Sequence, residues 1–242
     1  KNYNVFLLIG ASHLDEDYGK TISEIEKAGF STKYLINFNH DNDILSSNPL
    51  TISVGIDKIT KQLNEIEPDF FIIYGDRYET FSAAIASTQM GIPTIHIEGG
   101  DVTEGGTFDD SVRHAITKLS HVHLATNEFA KKRIIQMGEE ESRVFNVGLP
   151  VIDLIKNKEF TNGDEIIRKY NLKKYNNIII FTQHSIPIEI NLIDQEFNEI
   201  KKAFQQIDSE KTKILCTYPN SDVGGKKIIN IIENWKEEFE NI

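Results

Sequence analysis

The sequence is short of several residue types, and each shortage closes off a class of protein. A single cysteine, Cys216, stands among the 242 residues, so no internal disulfide can form and a disulfide-stapled scaffold is excluded. That usage fits a reducing compartment, and a cytoplasmic location is expected. Long apolar runs are also missing. Val5–Ile9 and Ile178–Phe181 are far shorter than the roughly 20 residues that cross a bilayer, and no membrane partner is expected. Positive charge is in deficit, with 26 Lys plus Arg against 37 Asp plus Glu and a formal net charge of −11. Such a balance argues against a general nucleic-acid or anionic-lipid surface, so an anionic ligand needs a local cationic pocket. Six prolines and 15 glycines are too few for a collagenous or low-complexity chain. Neither GxxxxGK[ST] nor a strand–GxGxxG–helix unit occurs, which leaves P-loop and ordinary Rossmann dinucleotide chemistry without support.

What is present reads as globular, with 39% hydrophobic and 26% charged residues. Short β-branched runs alternate with longer segments of helical period, the signature of βαβ units around parallel sheets and hence of an α/β fold. The strand candidates are 5–9, 32–36, 70–74, 94–97, 122–125, 144–147, 178–182 and 213–216. Most are apolar nearly throughout, as strands covered on both faces should be. Helical period marks 57–66, 80–89, 110–119 and 128–136, with Gly91, Gly138 and Pro68 as stop signals. In the closing segment Ile228, Ile229, Ile231, Ile232, Trp235, Phe239 and Ile242 share one stripe, expected to face a core. Between Ile155 and Asn177 the composition turns to Lys, Asn and Glu with one helical pattern. The domain junction belongs there, giving a first domain over 1–160 and a second over 175–242. No charged-then-apolar leader precedes the first run, and VFLLIG following so closely on Lys1 reads as though the domain had begun earlier.

In parallel α/β sheets ligands gather beyond the carboxyl ends of strands, so the polar residues there carry the chemistry. FFIIYG is followed by Asp76, Arg77, Tyr78 and Glu79; TIHI by Glu98, Gly99, Gly100 and Asp101; IIIFT by Gln183, His184 and Ser185. Asp76 follows a glycine that lets the chain turn sharply, and it suits either a projecting carboxylate or a helix N-cap. Arg77 suits a phosphate or an ion pair with Glu79. Glu98, at the end of an apolar strand and before two glycines, is poorly explained by packing and suits general acid–base work. In TEGGTFDDSVRHAITK, Asp109 or Asp110 can cap the following helix, on which Asp110, Arg113, His114 and Thr117 share a face. Gly105 and Gly106 would let the preceding loop close on a ligand and carry Asp109 to it. His121 and His123 form an HxH at strand spacing without companion ligands, so hydrogen-bonded histidines are expected rather than a metal site. Cys216 has no nucleophile signature around it.

Taken in order, these blocks resemble the UDP-N-acetylglucosamine 2-epimerase family, in particular its hydrolysing branch. The stretches are GASHL with DYG at 10–19, GDRYE at 75–79, HIEGGDVTEGG at 96–106 and FDDSVRHAITKLSHVH at 108–123. RVFNVGLPVID at 143–153, TQHS at 182–185 and YPNSDVGG at 218–225 complete the set. Each is weak alone, whereas the ordered set is specific.

The resemblance implies two Rossmann-like domains facing a cleft, as in GT-B glycosyltransferases. Against the family pattern, the first strand and its Arg-x-Asp loop would lie before Lys1, and most of the second domain, with its serine-rich nucleotide-gripping loop, after Ile242. The implied reaction hydrolyses a UDP-2-acetamido sugar to UDP and the free 2-epimeric sugar through a glycal, of the kind that supplies sialic-type acid synthesis. Asp76, Glu98 and Asp109 are then the acidic groups acting at C1 and C2, with His184 near the leaving pyrophosphate. The local spelling His184-Ser185-Ile186-Pro187 departs from the family's usual His-Pro-Val-Thr but keeps the histidine. His13, Arg77, Arg113, Asn220 and Asp222 are the implied substrate-binding residues. No metal or redox cofactor is required, and a homodimer or homotetramer is the implied assembly. The alternatives are a non-hydrolysing epimerase, whose product stays nucleotide-linked, and a non-catalytic sugar-nucleotide-binding domain.

Overall fold

The computed structural model describes residues 3–38, 44–103 and 108–242, and the chain falls into two compact units that part between Lys158 and Glu159. In the first unit Leu8–Gly10 (β1) pairs in parallel with Tyr34–Ile36 (β2). Phe71–Tyr74 (β3), Thr94–Ile97 (β4), Val122–Ala125 (β5) and Val144–Asn146 (β6) form a second parallel sheet in chain order. Helices fill the crossovers that parallel pairing demands: Ile22–Lys27 (α1), Ser47–Ile66 (α2), Tyr78–Gln89 (α3), Phe108–Leu119 (α4) and Glu128–Gln136 (α5), with Val151–Lys156 (α6) after β6. The second unit carries Gly163–Lys169 (α7), Asn177–Phe181 (β7), Ile193–Phe204 (α8), Thr212–Cys216 (β8) and Gly225–Glu238 (α9), with β7 and β8 parallel.

Local chemistry sets the ends of these elements. The Asn127 side chain accepts the Ala130 N–H at 2.9 Å and caps α5, satisfying one of the donors a helix start leaves free. α3 and α5 each end one residue short of Gly91 and Gly138, and α2 ends at Ile66, with Glu67 as its C-cap just before Pro68.

One core joins Ile59 and Leu63 of α2, Ala83, Ala84 and Ala86 of α3, Ile73 of β3 and Ile116 of α4. Alanines on α3 let α2 pack closely against it, and each fully buried aliphatic side chain contributes about 1.5–3 kcal/mol. The second unit has its own core of Phe197, Phe204, Ile214, Ile228, Ile232 and Trp235, with the Phe181 ring edge-on to Phe204 at 5.4 Å. The closing stripe therefore faces a core, as its period requires.

Four expectations need correction. The strand over 5–9 narrows to three paired residues, because β2 offers only three partners. α2 starts ten residues earlier than its apolar period indicates, since Pro49 sits in the first turn, where a missing N–H costs nothing. The segment 155–177 holds the end of α6, α7 and a 3-10 turn at Leu172–Lys174 rather than one helix. The strands are also not covered on both faces. α2, α3 and α4 pack on the Ile73 side, so the two-residue period of a strand turns its neighbours outward: Ile73 is 2% exposed, but Ile72 is 61% and Tyr74 50% exposed. In β7 the same alternation leaves Ile180 72% exposed.

Candidate functional site at the carboxyl edges of the sheets

β3 and β4 pair with Tyr74 opposite Ile97, and the Gly75 N–H donates to the Ile97 carbonyl at 3.1 Å. Asp76 and Glu98 therefore leave adjacent strands at the same edge of the sheet. Gly75, at φ +76°, supplies the left-handed turn that a side chain would strain. Asp76 does not cap the next helix, because α3 begins at Tyr78 after an N-cap at Arg77 that makes no side-chain capping bond. Its carboxylate instead pairs with Nη2 of Arg113. Nη1 of Arg113 donates to Asp110 Oδ1 at 3.0 Å and to the Asp101 carbonyl at 3.0 Å, while the buried Nε has no partner in the structure. One guanidinium, with its side chain 12% exposed, thus fixes two carboxylates in a partly dehydrated setting, where its planar fork gives direction as well as charge.

Glu98 has a φ of +69°, a left-handed conformation that costs a non-glycine residue about 1 kcal/mol or more, and its N–H donates to the Leu124 carbonyl at 3.0 Å. Burial first, and then the neighbouring Glu98 carboxylate, push the Tyr74 phenol above its ordinary pKa. Sequence reasoning passed over Tyr74 because it ends an apolar strand. His96 was missed for the same reason. Fully buried in β4, its ring lies between the Gly75 carbonyl, 2.9 Å from Nε2, and Thr117 Oγ1, 3.1 Å from Nδ1. Burial pushes its pKa down to about 4. At Gly99 an added Cβ would stand 2.7 Å from His96 Nδ1 and 2.8 Å from Thr117 Oγ1. The glycine after Glu98 is there to let the chain pass this pair.

Asp109 and Asp110 both lie inside the first turn of α4, which starts at Phe108; the expectation that one of them caps the helix is corrected accordingly. Gly105 and Gly106, read as a closing loop, lie outside the described residues. Asp110 bonds the Thr103 N–H at 2.8 Å; of the face expected to hold Asp110, Arg113, His114 and Thr117, Arg113 meets Asp110 and Thr117, while the buried His114 Nδ1 has no partner in the structure. Arg77 turns back onto Glu79, with Nε 3.0 Å and Nη2 3.3 Å from its carboxylate. His13 sits in the 3-10 turn after β1, with Nδ1 2.7 Å from Thr21 Oγ1. His121 Nδ1 accepts the Thr94 N–H at 3.1 Å, and His123 Nε2 lies 3.1 Å from Glu139, so each ring is held by a hydrogen bond, although the buried His123 Nδ1 has no partner in the structure. Among the described residues no group of three His, Cys, Asp or Glu is placed to hold a metal ion. None of the described helices is long and apolar enough to cross a membrane.

In the second unit His184, Asn220 and Asp222 meet beyond the ends of β7 and β8. The Asn220 N–H donates to His184 Nδ1 at 3.0 Å, which leaves Nε2 to carry the proton of the neutral ring. The Asn220 amide donates to Asp222, whose carbonyl accepts the Gly225 N–H at 2.8 Å at the start of α9. Burial pushes the Cys216 thiol up to about 11, the opposite of an activated nucleophile.

The family described as UDP-N-acetylglucosamine 2-epimerase matches residues 1–242. A GDP/UDP-N,N'-diacetylbacillosamine 2-epimerase (hydrolyzing) of Campylobacter jejuni is 33% identical over 236 residues, covering 97% of this chain and 60% of that protein. The UDP-N,N'-diacetylbacillosamine 2-epimerase (hydrolyzing) of Legionella pneumophila is 32% identical over 235 residues, covering 97% and 61%. The crystal structure of Methanocaldococcus jannaschii UDP-GlcNAc 2-epimerase in complex with UDP-GlcNAc and UDP superposes with a TM-score of 0.72 at 20% identity, covering 93% of this chain and 61% of that one. The chain thus spans about 60% of the length of the relatives it matches. Its fold is the parallel-sheet α/β fold of these GT-B-type proteins.

Proposed function

Because the chain belongs to the UDP-N-acetylglucosamine 2-epimerase family, we propose that the protein is a hydrolysing 2-epimerase converting a UDP-2-acetamido sugar, UDP-N-acetylglucosamine or UDP-diacetylbacillosamine, to UDP and the free 2-epimeric sugar. The observation that carries this reading is the pair of carboxylates, Asp76 and Glu98, leaving adjacent strands at one sheet edge, with Arg113 braced across Asp76 and Asp110. Two acidic groups on one edge suit a reaction that removes a proton from one face of C2 and returns one to the other. The hydrolysing activity named for the two relatives above supports the same choice.

In the first step a carboxylate takes the C2 proton, the electron pair left behind forms the C1–C2 double bond, and the C1–O bond breaks so that UDP leaves with its pair. Water then adds at C1 while C2 is protonated from the opposite face. A C2 hydrogen is weakly acidic, so the step advances only if charge developing at C1 and on the leaving pyrophosphate is stabilised together with base attack. Asp76, Glu98 and Asp109 are assigned to proton traffic at C1 and C2, and His184, with its free Nε2–H, to the pyrophosphate. Arg77, Arg113, His13, Asn220 and Asp222 are assigned to substrate positioning. The second domain, from about residue 175, is read as the start of the nucleotide-binding half, and the protein as a cytoplasmic homodimer or homotetramer in sialic-type acid synthesis.

The test is incubation of the full-length enzyme with each sugar nucleotide side by side in deuterated water. UDP, free sugar and deuterium at C2 are expected. UDP release without C2 exchange overturns the reading, a product that stays nucleotide-linked makes the enzyme non-hydrolysing, and binding without turnover makes it a sugar-nucleotide-binding domain.

A further inference from the structure

His96 stands behind the site and touches none of the groups assigned to substrate, yet its hydrogen bonds are fully determined by their neighbours. The Gly75 carbonyl can only accept, so Nε2 carries a proton. Thr117 Oγ1 has a single proton and two candidate acceptors, His96 Nδ1 at 3.1 Å and the Arg113 carbonyl at 3.0 Å. If the hydroxyl turns to Arg113, Nδ1 either takes a second proton, which makes the ring a buried cation, or stays bare against an oxygen lone pair, which leaves a buried acceptor without a donor. Burial on all sides disfavours both the charge and the unpaired acceptor. The hydroxyl therefore donates to Nδ1, and the neutral ring is locked in one tautomer.

The lock spans two elements of the site. One end holds the carbonyl of Gly75, the residue whose left-handed turn launches Asp76. The other rests on Thr117, one helical turn along α4 from Arg113, the partner of Asp76. The bare Cα of Gly99 leaves the space the ring and hydroxyl occupy, and even a methyl group there would meet both. Three independent features, a buried ring, a glycine without room for a Cβ and a left-handed turn, thus converge on the direction of one carboxylate.

We infer that His96 is a positioning residue of this site: a neutral imidazole protonated at Nε2 that fixes the Gly75–Asp76 turn, with Thr117 as its anchor. This rests on the reading of Asp76 as a group that acts on the UDP-sugar. In the full-length protein, His96→Leu is expected to lower kcat by about 10- to 100-fold, the scale of an ångström-level misplacement, with KM little changed. His96→Gln, whose amide can still donate to Gly75 and accept from Thr117, is expected to recover most of that loss and to keep both limbs of the wild-type pH–rate profile. Should the leucine variant fail to fold, Thr117→Val, which removes only the anchor, is expected to lower kcat in the same way.

Unchanged kcat in the folded variants, or a glutamine variant as slow as the leucine one, overturns the proposal. Loss of a pH limb in His96→Gln also overturns it, because the imidazole would then be moving the proton itself. Nitrogen-15 spectra of histidine-labelled wild-type protein decide the tautomer without substrate. A protonated Nε2 and bare Nδ1 across about pH 5 to 8 uphold the lock, and the reverse tautomer or a titration in that range overturns it. Absence of wild-type turnover on both sugar nucleotides would defeat the functional reading alone, with the spectra still deciding the fate of the lock.

Discussion

Arg113 decides more of the candidate site than any other single residue. Its fork serves Asp76, Asp110 and the Asp101 carbonyl, and removing it leaves two partly buried carboxylates without their cation. Arg113→Met is therefore expected to lower stability by roughly 3 kcal/mol, read as a lower urea midpoint at neutral pH. Arg113→Lys should recover little of this, since an ammonium cannot serve several acceptors in one plane. Asp76→Asn keeps the shape but removes one of the carboxylates assigned to proton traffic, and on the proposed mechanism turnover should fall by about 10²-fold or more with folding retained. His96 makes a separate prediction about pH. Its pKa is about 4 in the fold against an ordinary 6.5, so between those values the unfolded chain takes up a proton that the folded chain refuses. The contribution is whole above about pH 6.5 and is lost as the pH falls toward 4; the gap is worth about 3 kcal/mol at most. His96→Gln removes it, and the variant's urea midpoint should fall less steeply than the wild type's across that window.

At the scale of elements, the junction of β4 with the chain that follows is the tightest part of the site. Gly99→Ala places a methyl group under 3 Å from His96 and Thr117, and overpacking of this kind costs about 1–3 kcal/mol, measurable as a drop in Tm. The same junction shows what the sequence could and could not disclose. β4, β5 and α5 were legible to the residue, because apolar runs bounded by polar strand ends and an asparagine cap carry the signal locally. The acidic groups Asp76 and Glu98 were legible too, since each follows an apolar strand where parallel sheets place ligands. What escaped was set at a distance. His96 and Tyr74 lie within apolar strands and gain their roles only through Thr117 and Glu98, which register and helix placement bring to them. The uncovered strand face escaped for the same kind of reason: period two says which residues alternate, but only the helices' choice of the Ile73 side says which set is left outside.

For the molecule as a whole, the two units have cores built from different residues, so a cavity in one should be felt first in that one. Ile228→Ala removes a fully buried side chain of the second core and is expected to cost about 2–5 kcal/mol there. In hydrogen exchange, amides around Ile214 should then lose protection while those around Ile73 and Ile116 keep theirs, and equal loss in both would refute the separation. The all-parallel pairing has a further consequence, for the order in which the chain folds. Leu8 meets Tyr34, Phe71 meets Thr94, His123 meets Val144 and Asn177 meets Thr212, so each of these pairings spans a whole crossover and none begins as a local hairpin. High contact order of this kind slows commitment to the native sheet. Meanwhile α2 and α3, whose contacts with their own neighbours are near in sequence, can condense early. A ribosome-bound chain would thus hold a preformed helical layer for some time before the first strand finds its edge.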